Sequence, residues 1–223
     1  MKHRSKPWRF SLGVVLLAAG RSRRMGQPKM LLPWQGTTVL GHLAAQWRGL
    51  GATQVAVVFA RDDQVLQQEL DRLGVPHSHR IENPSPDLGM FSSIQAAARW
   101  RGWEDHLTHW AFVLGDQPHL KSQTLRALLE FGAKHPDSVC QPARADKPRH
   151  PVLLPKSVFL ELAQAATENL RAFLQNREVA LCELDDAGLD LDLDEPKDYA
   201  AALALVRSET PSPHLHLDDN HGA

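Results

Sequence analysis

The apolar run Val14-Val15-Leu16-Leu17 and the small, basic segment after it constrain the fold most. Four consecutive apolar residues, two of them β-branched, show no alternation of polar and apolar side chains. That pattern suits a short strand buried on both faces, as in a parallel sheet. The runs at 55–59 and 110–114 have the same character. Between them the apolar period changes to that of a helix. In 37–50 it is carried by Val39, Leu40, Leu43, Ala44, Trp47 and Leu50, with Gly51 as a stop. Segments 62–73, 90–100 and 123–131 also read as helices, and a weak strand is expected near 78–81. Further on, strands are expected near 138–141, 152–154 and 179–184, and helices near 156–165, 168–175 and 196–206. Strand-helix alternation predicts an α/β fold, a mostly parallel sheet with helices on both faces. Ligands of such sheets bind at the carboxyl ends of strands. The residues after Leu17, after Leu114 and after the 179–184 strand are therefore the ones to inspect.

The first run needs one distinction. Lys2, Arg4, Lys6 and Arg9 precede it, as in a secretory leader. It ends, however, in Gly20-Arg21-Ser22-Arg23-Arg24 and not in a small-x-small cleavage site, so a strand is the better account. No apolar run approaches the roughly 20 residues of a membrane span. The 25 Lys and Arg against 26 Asp and Glu give a net charge of -1, with no overall pull towards nucleic acid or an acidic membrane. Cys140 and Cys182 lie far apart with no metal-site spacing, and are expected to be buried thiols in a reducing, cytoplasmic compartment. A chain of 223 residues buries enough surface to fold without disulfides or a structural metal. The expected organisation is a basic tail (1–11), one domain (12–207) and a polar, disordered tail (208–223) containing Pro211, Pro213 and three histidines.

The loop after the first strand suits an anion. Leu17, Ala18, Ala19 and Gly20 are followed by Ser22, Arg24, Gly26 and Lys29. Small residues let a ligand approach the backbone, and successive N–H groups can cradle phosphate oxygens. Arg24 and Lys29 can neutralise phosphate charge. The glycine spacing fits neither a Walker loop nor a G-x-G-x-x-G dinucleotide loop.

Residues 17–29 match L-A-A-G-x-S-x-R-M-G-x-x-K at all nine fixed positions. Asn83 and Gly89-Met90-Phe91-Ser92-Ser93-Ile94 follow in order, then Leu114-Gly115-Asp116-Gln117-Pro118, His150-Pro151-Val152-Leu153 and the acidic 191–199. This series resembles the MobA-like nucleotidyltransferases, and within them the molybdenum cofactor cytidylyltransferase branch, over about residues 12–205. Ala19 and Gln117 favour that branch, since the guanylyl branch resembles L-A-G-G and D-M-P at those places.

The resemblance implies a Rossmann-like three-layer sandwich of the nucleotide-diphospho-sugar transferase type. It implies transfer of CMP from CTP to a molybdopterin-type acceptor with pyrophosphate released, or the same chemistry with GTP or on another phosphorylated acceptor. Read alone, Asp116 and Asp194 pass for turn and helix-cap residues. By resemblance they are the carboxylates that hold Mg²⁺, with Asp192 beside them. The nucleotide would lie on 17–20, Ser22, Arg24 and Lys29, with Asn83, Gly89, Ser92 and Ser93 opposite; Arg24, Lys29 and Asp116 would be catalytic. His150 would face the acceptor. A molybdoenzyme or its maturation chaperone is the implied downstream partner. A non-catalytic cofactor-delivery protein on the same scaffold is the alternative, against which the retained Asp116, Asp194 and Lys29 speak. Two departures fall on the acceptor side: Pro148-Arg149 replaces the family's Arg-Gly, and 169–174 only partly keeps G-A-R-x-L-L.

Overall fold

The computed structural model describes residues 8, 10–22 and 24–208. The expected tail at 208–223 lies outside them but for Ser208, which ends the last helix, and of the expected basic tail at 1–11 only residues 8, 10 and 11 are described. The elements run β1 (Leu12–Leu17), a hairpin of β2 (Pro33–Trp34) and β3 (Thr37–Thr38), α1 (Val39–Gly49), β4 (Gln54–Ala60), α2 (Gln64–Arg72), β5 (Arg80–Asn83) and α3 (Met90–Arg99). They continue with β6 (His109–Leu114), α4 (Ser122–Lys134), β7 (Val139–Arg144), β8 (Lys147–Pro148), β9 (Val152–Pro155), α5 (Lys156–Glu161), α6 (Leu170–Leu174), β10 (Val179–Glu183) and α7 (Pro196–Ser208).

The main sheet has the order β10-β7-β9-β6-β1-β4-β5, with β8 on the edge of β7. β1 is parallel to β4 and β6, β4 to β5, and β10 to β7. β9 alone on this path runs antiparallel to its neighbours. All six residues of β1 are buried, as its unbroken apolar run requires. Val14 and Leu16 point into one core with Leu43 and Trp47 of α1, Leu70 of α2 and Leu128 of α4. Val15 and Leu17 point into the other, with Ile94 of α3, Phe159 of α5 and Phe173 of α6. Two helix layers thus enclose the sheet, and the mixed α/β, mostly parallel, Rossmann-like expectation holds.

Local differences have local causes. The strand expected near 78–81 is Arg80–Asn83, because residues after Pro76 first close a turn of 3₁₀-helix at His77–His79. The helix expected over 156–165 tightens to 3₁₀ geometry at Leu162–Gln164. Gln35 and Gly36 both take positive φ (47° and 82°), the turn that joins β2 to β3. Trp8 is buried in the first core, and Cys140 and Cys182 are free and buried. Among the described residues no helix is long and apolar enough to cross a membrane.

Candidate active site

Register brings the two loops of interest together. Leu17 at the end of β1 is level with Leu114 at the end of β6 and with Val58 of β4. A cleft of about 350 Å³ opens there, lined by the loop 17–22, Arg24, Lys29, Gly115, Asp116 and Asp194, and on the other side by Gly89, Met90 and Ser93. The N–H of Ala18 still continues the sheet by donating to Val58 O (2.8 Å). Beyond it the chain leaves the sheet. A Cβ on Gly20 would meet no atom within 4 Å, so its backbone faces open space. Gly115 is different: a Cβ there would come within 2.2 Å of Met30 Sδ.

The loop is fastened from within. Ser22 takes φ 46°, and its Oγ accepts the Lys29 N–H (3.0 Å). Met25 anchors the turn in the core, donating its N–H to Ser22 O (3.1 Å). The fold thereby delivers Arg24 and Lys29 to the two acidic residues. Lys29 Nζ lies 3.3 Å from Asp194 Oδ1 and 3.7 Å from Asp116 Oδ2. Arg24 Nη2 lies 2.9 Å from Asp194 Oδ2. Asp116 Oδ1 is buried and has no hydrogen-bond partner. Burial pushes the Asp116 carboxyl up to about 6; Lys29 opposes the shift, and Asp192 and Asp194 add to it.

The acidic segment 191–195 is an extended loop and not a strand. Its Leu193 N–H donates to Asp116 O (2.9 Å), and Gln117 Nε2 donates to Asp192 Oδ1 (2.8 Å). Asp194 does not cap α7: Asp198 Oδ2 accepts the Glu195 N–H (2.8 Å) and leaves the Asp194 carboxylate to the cations. An ammonium between two carboxylates, one with an unpaired buried oxygen, marks a place where a hard cation fits. Among the described residues no three His, Cys, Asp or Glu side chains converge as ligands. A metal held there would complete its shell with phosphate and water.

Leu17, Ala18, Ala19, Gly20, Ser22, Arg24, Lys29, Gly89, Ser93, Asp116 and Asp194 thus share one cleft. Asn83, Ser92 and His150 do not line it. Asn83 is buried behind the wall, where Nδ2 donates to Ser92 Oγ (2.8 Å) and Ser93 Oγ (2.9 Å) and Oδ1 accepts the Ser85 N–H (2.9 Å). The Ser92 hydroxyl turns back onto the carbonyls of Ser85 and Gly89. These two residues hold the start of α3. His150 lies towards Asp192, with its Nδ1 buried and unpaired; burial drives its imidazole down to about 4, while Asp192 opposes the shift. The departure at Arg149 has a partner, since its guanidinium binds Asp190 Oδ1 through Nη2 (2.6 Å) and Nε (3.0 Å). Sequence reasoning missed Arg21, which lines the cleft, and the tie made by Gln117.

Known proteins resemble this chain in sequence and fold. The description "MobA-like NTP transferase domain" matches residues 14–181. The molybdenum cofactor cytidylyltransferase of Escherichia coli K12 is 27% identical over 194 residues, 86% of this chain and 95% of that protein. The molybdenum cofactor guanylyltransferase of Xanthomonas euvesicatoria pv. vesicatoria is 52% identical over a shorter stretch of 89 residues, 40% of this chain and 38% of that protein. Among solved structures, Rv0371c of Mycobacterium tuberculosis H37Rv in complex with manganese superposes with a TM-score of 0.65 at 26% identity, covering 88% of this chain and 99% of that one. With the cleft, its cations and its paired carboxylates in place, the chain belongs to the MobA-like NTP transferase family and is a nucleotidyltransferase.

Proposed function

We propose that this chain transfers CMP from CTP to a molybdopterin-type acceptor in a Mg²⁺-dependent reaction, with residues 12–207 as the transferase domain. The observation that carries the reading is the meeting of Arg24 and Lys29 with Asp116 and Asp194 beside an open, small-residue loop. A phosphate oxygen of the acceptor attacks the α-phosphorus of the triphosphate. The new P–O bond forms as the bond to the β-phosphate oxygen breaks, and that oxygen leaves with its electron pair as pyrophosphate. Such a displacement needs alignment and charge neutralisation more than a protein nucleophile.

Each residue has a share. Backbone N–H groups of 19–22 receive the phosphates, and Gly20 lets them come close. Arg24 and Lys29 exchange their carboxylate partners for phosphate oxygens and neutralise the leaving group. Asp116 and Asp194 would hold the divalent ion, which when bound supplies positive charge to the phosphates. Gln117 keeps Asp192 fixed beside them. His150, behind Asp192, shapes the acceptor side, and Asn83 and Ser92 act by bracing Gly89 and Ser93 on the nucleoside side.

CTP is favoured by Ala19 and Gln117 and by the likeness to the cytidylyltransferase along nearly its whole length. GTP is the second reading, supported by the 52% identity to a guanylyltransferase over 89 residues. Pyrophosphate release measured with each of the four triphosphates, Mg²⁺ and molybdenum-loaded molybdopterin separates them. CTP is expected to give the largest kcat/KM; a larger value with GTP replaces the first reading by the second.

A further inference from the structure

Three described cations of the loop reach the cleft, and they point in two directions. Arg24 and Lys29 turn to Asp116 and Asp194. Arg21 turns the opposite way. Its Nε lies 3.1 Å from Asp87 Oδ1 and its Nη2 3.2 Å from Asp87 Oδ2, a two-point fork, and Nη2 is also 3.6 Å from Asp62 Oδ2. Ser22, in the left-handed region at φ 46°, is the turning point between the two groups.

We propose that Arg21 is a positioning residue that clasps the nucleoside-side lip of the cleft and so sets its grip on the triphosphate. The proposal rests on the nucleotidyltransferase reading, which lays the nucleotide across residues 18–22. Three neighbouring parallel strands, β1, β4 and β5, end at this lip. Arg21 follows the first, Asp62 the second, and Asp87 lies in the Pro86–Leu88 turn after the third. One guanidinium therefore ties the three outgoing loops together. Arg61 also joins the ends of β4 and β5, through Glu82 Oε2 (3.0 Å) and Asn83 O (3.4 Å), but it does not reach the loop of β1; the rim itself is open, with Leu88 77% exposed and Gly20 facing open space. The turn carrying Asp87 leads directly into Gly89 and Met90 on the cleft wall, so the ion pair fixes how far that wall stands from the loop. Two carboxylates surround the one guanidinium, which leaves it no surplus charge for phosphate. Its effect on the nucleotide is one of geometry.

The test is equilibrium binding of each of the four triphosphates with Mg²⁺, together with steady-state KM and kcat, for wild type, R21A, D87N and the exchanged pair R21D/D87R. R21A and D87N should each weaken triphosphate binding and raise its KM by about three- to fivefold, the size of an exposed ion-pair network. The loss should appear in KM and not in kcat, shrink in high salt, and be largely restored in the exchanged pair. Tighter binding by D87N would overturn the proposal, since it would mean that the freed guanidinium serves the phosphates directly. So would a loss confined to kcat, an exchanged pair no better than R21A, or variants that bind like wild type. Wild-type protein that binds none of the four triphosphates would instead overturn the nucleotide reading on which the clasp rests.

Discussion

Burial shifts Asp116 and His150 in opposite senses, each against its own charged form. The Asp116 carboxyl, at about 6 instead of its ordinary 3.8, binds its proton more tightly folded than unfolded. Its contribution to metal-free stability is therefore present below about pH 4 and lost as the pH rises to 6. The His150 imidazole, at about 4 instead of 6.5, binds its proton more tightly unfolded. Its contribution is present above pH 6.5 and lost as the pH falls towards 4. The two slopes cancel in large part in the wild type, and single substitutions expose them. In chelator, Asp116→Asn should stabilise the protein at pH 7 by up to about 3 kcal/mol, a gain that vanishes near pH 4. His150→Gln should make stability decline as the pH rises from 4 to 6. Urea unfolding at pH 4, 5.5 and 7 checks both, and a destabilised Asp116→Asn at pH 7 would refute the burial argument.

At the scale of elements, the loop after β1 and the segment 191–195 work as a pair, each holding the other's charge. Removing the stand-in ammonium should separate binding from turnover. Lys29→Met should bind Mn²⁺ without nucleotide about tenfold more tightly, because the carboxylates lose their competing cation. The same change should slow transfer by about a hundredfold through loss of phosphate neutralisation. Manganese EPR titration and single-turnover rates read the two effects; weaker Mn²⁺ binding would contradict the account. The elements themselves were legible to the degree that burial dictated them. β1, β4 and β6 lie between two helix layers and so had to be apolar along nearly their whole length, with Gln54 and His109 only at the starts of β4 and β6. β5 is an edge strand whose residues alternate in burial, and the sequence placed it two residues early. The β2–β3 hairpin hides behind Gln35-Gly36, a weaker turn signal than Asn-Gly. Asn83 and Ser92 were legible as members of a motif but not as braces, since which way an amide or hydroxyl turns is decided by partners elsewhere in the fold. Arg21 occupies a variable position of the motif, and its partner Asp87 is 66 residues away, so no local pattern announces it.

At the scale of the molecule, near-neutrality conceals a division. No Asp or Glu precedes Asp62, while after Glu183 only Lys197 and Arg207 oppose the acidic residues. The sheet order places β1 inside the sheet, between β6 and β4, and the return of the chain after β10 brings Asp194 onto the loop of β1, 165 residues from Lys29. The fold thus makes one cleft from a basic beginning and an acidic end. The most direct test of that arrangement follows the α-phosphate: [α-³²P]CTP, Mg²⁺ and molybdenum-loaded molybdopterin are incubated with wild type, Asp116→Asn and Asp194→Asn. Wild type should move the label onto the acceptor with one pyrophosphate released per transfer. Each variant should be at least about a hundredfold slower yet fold normally. Label transfer undiminished in either variant would contradict it.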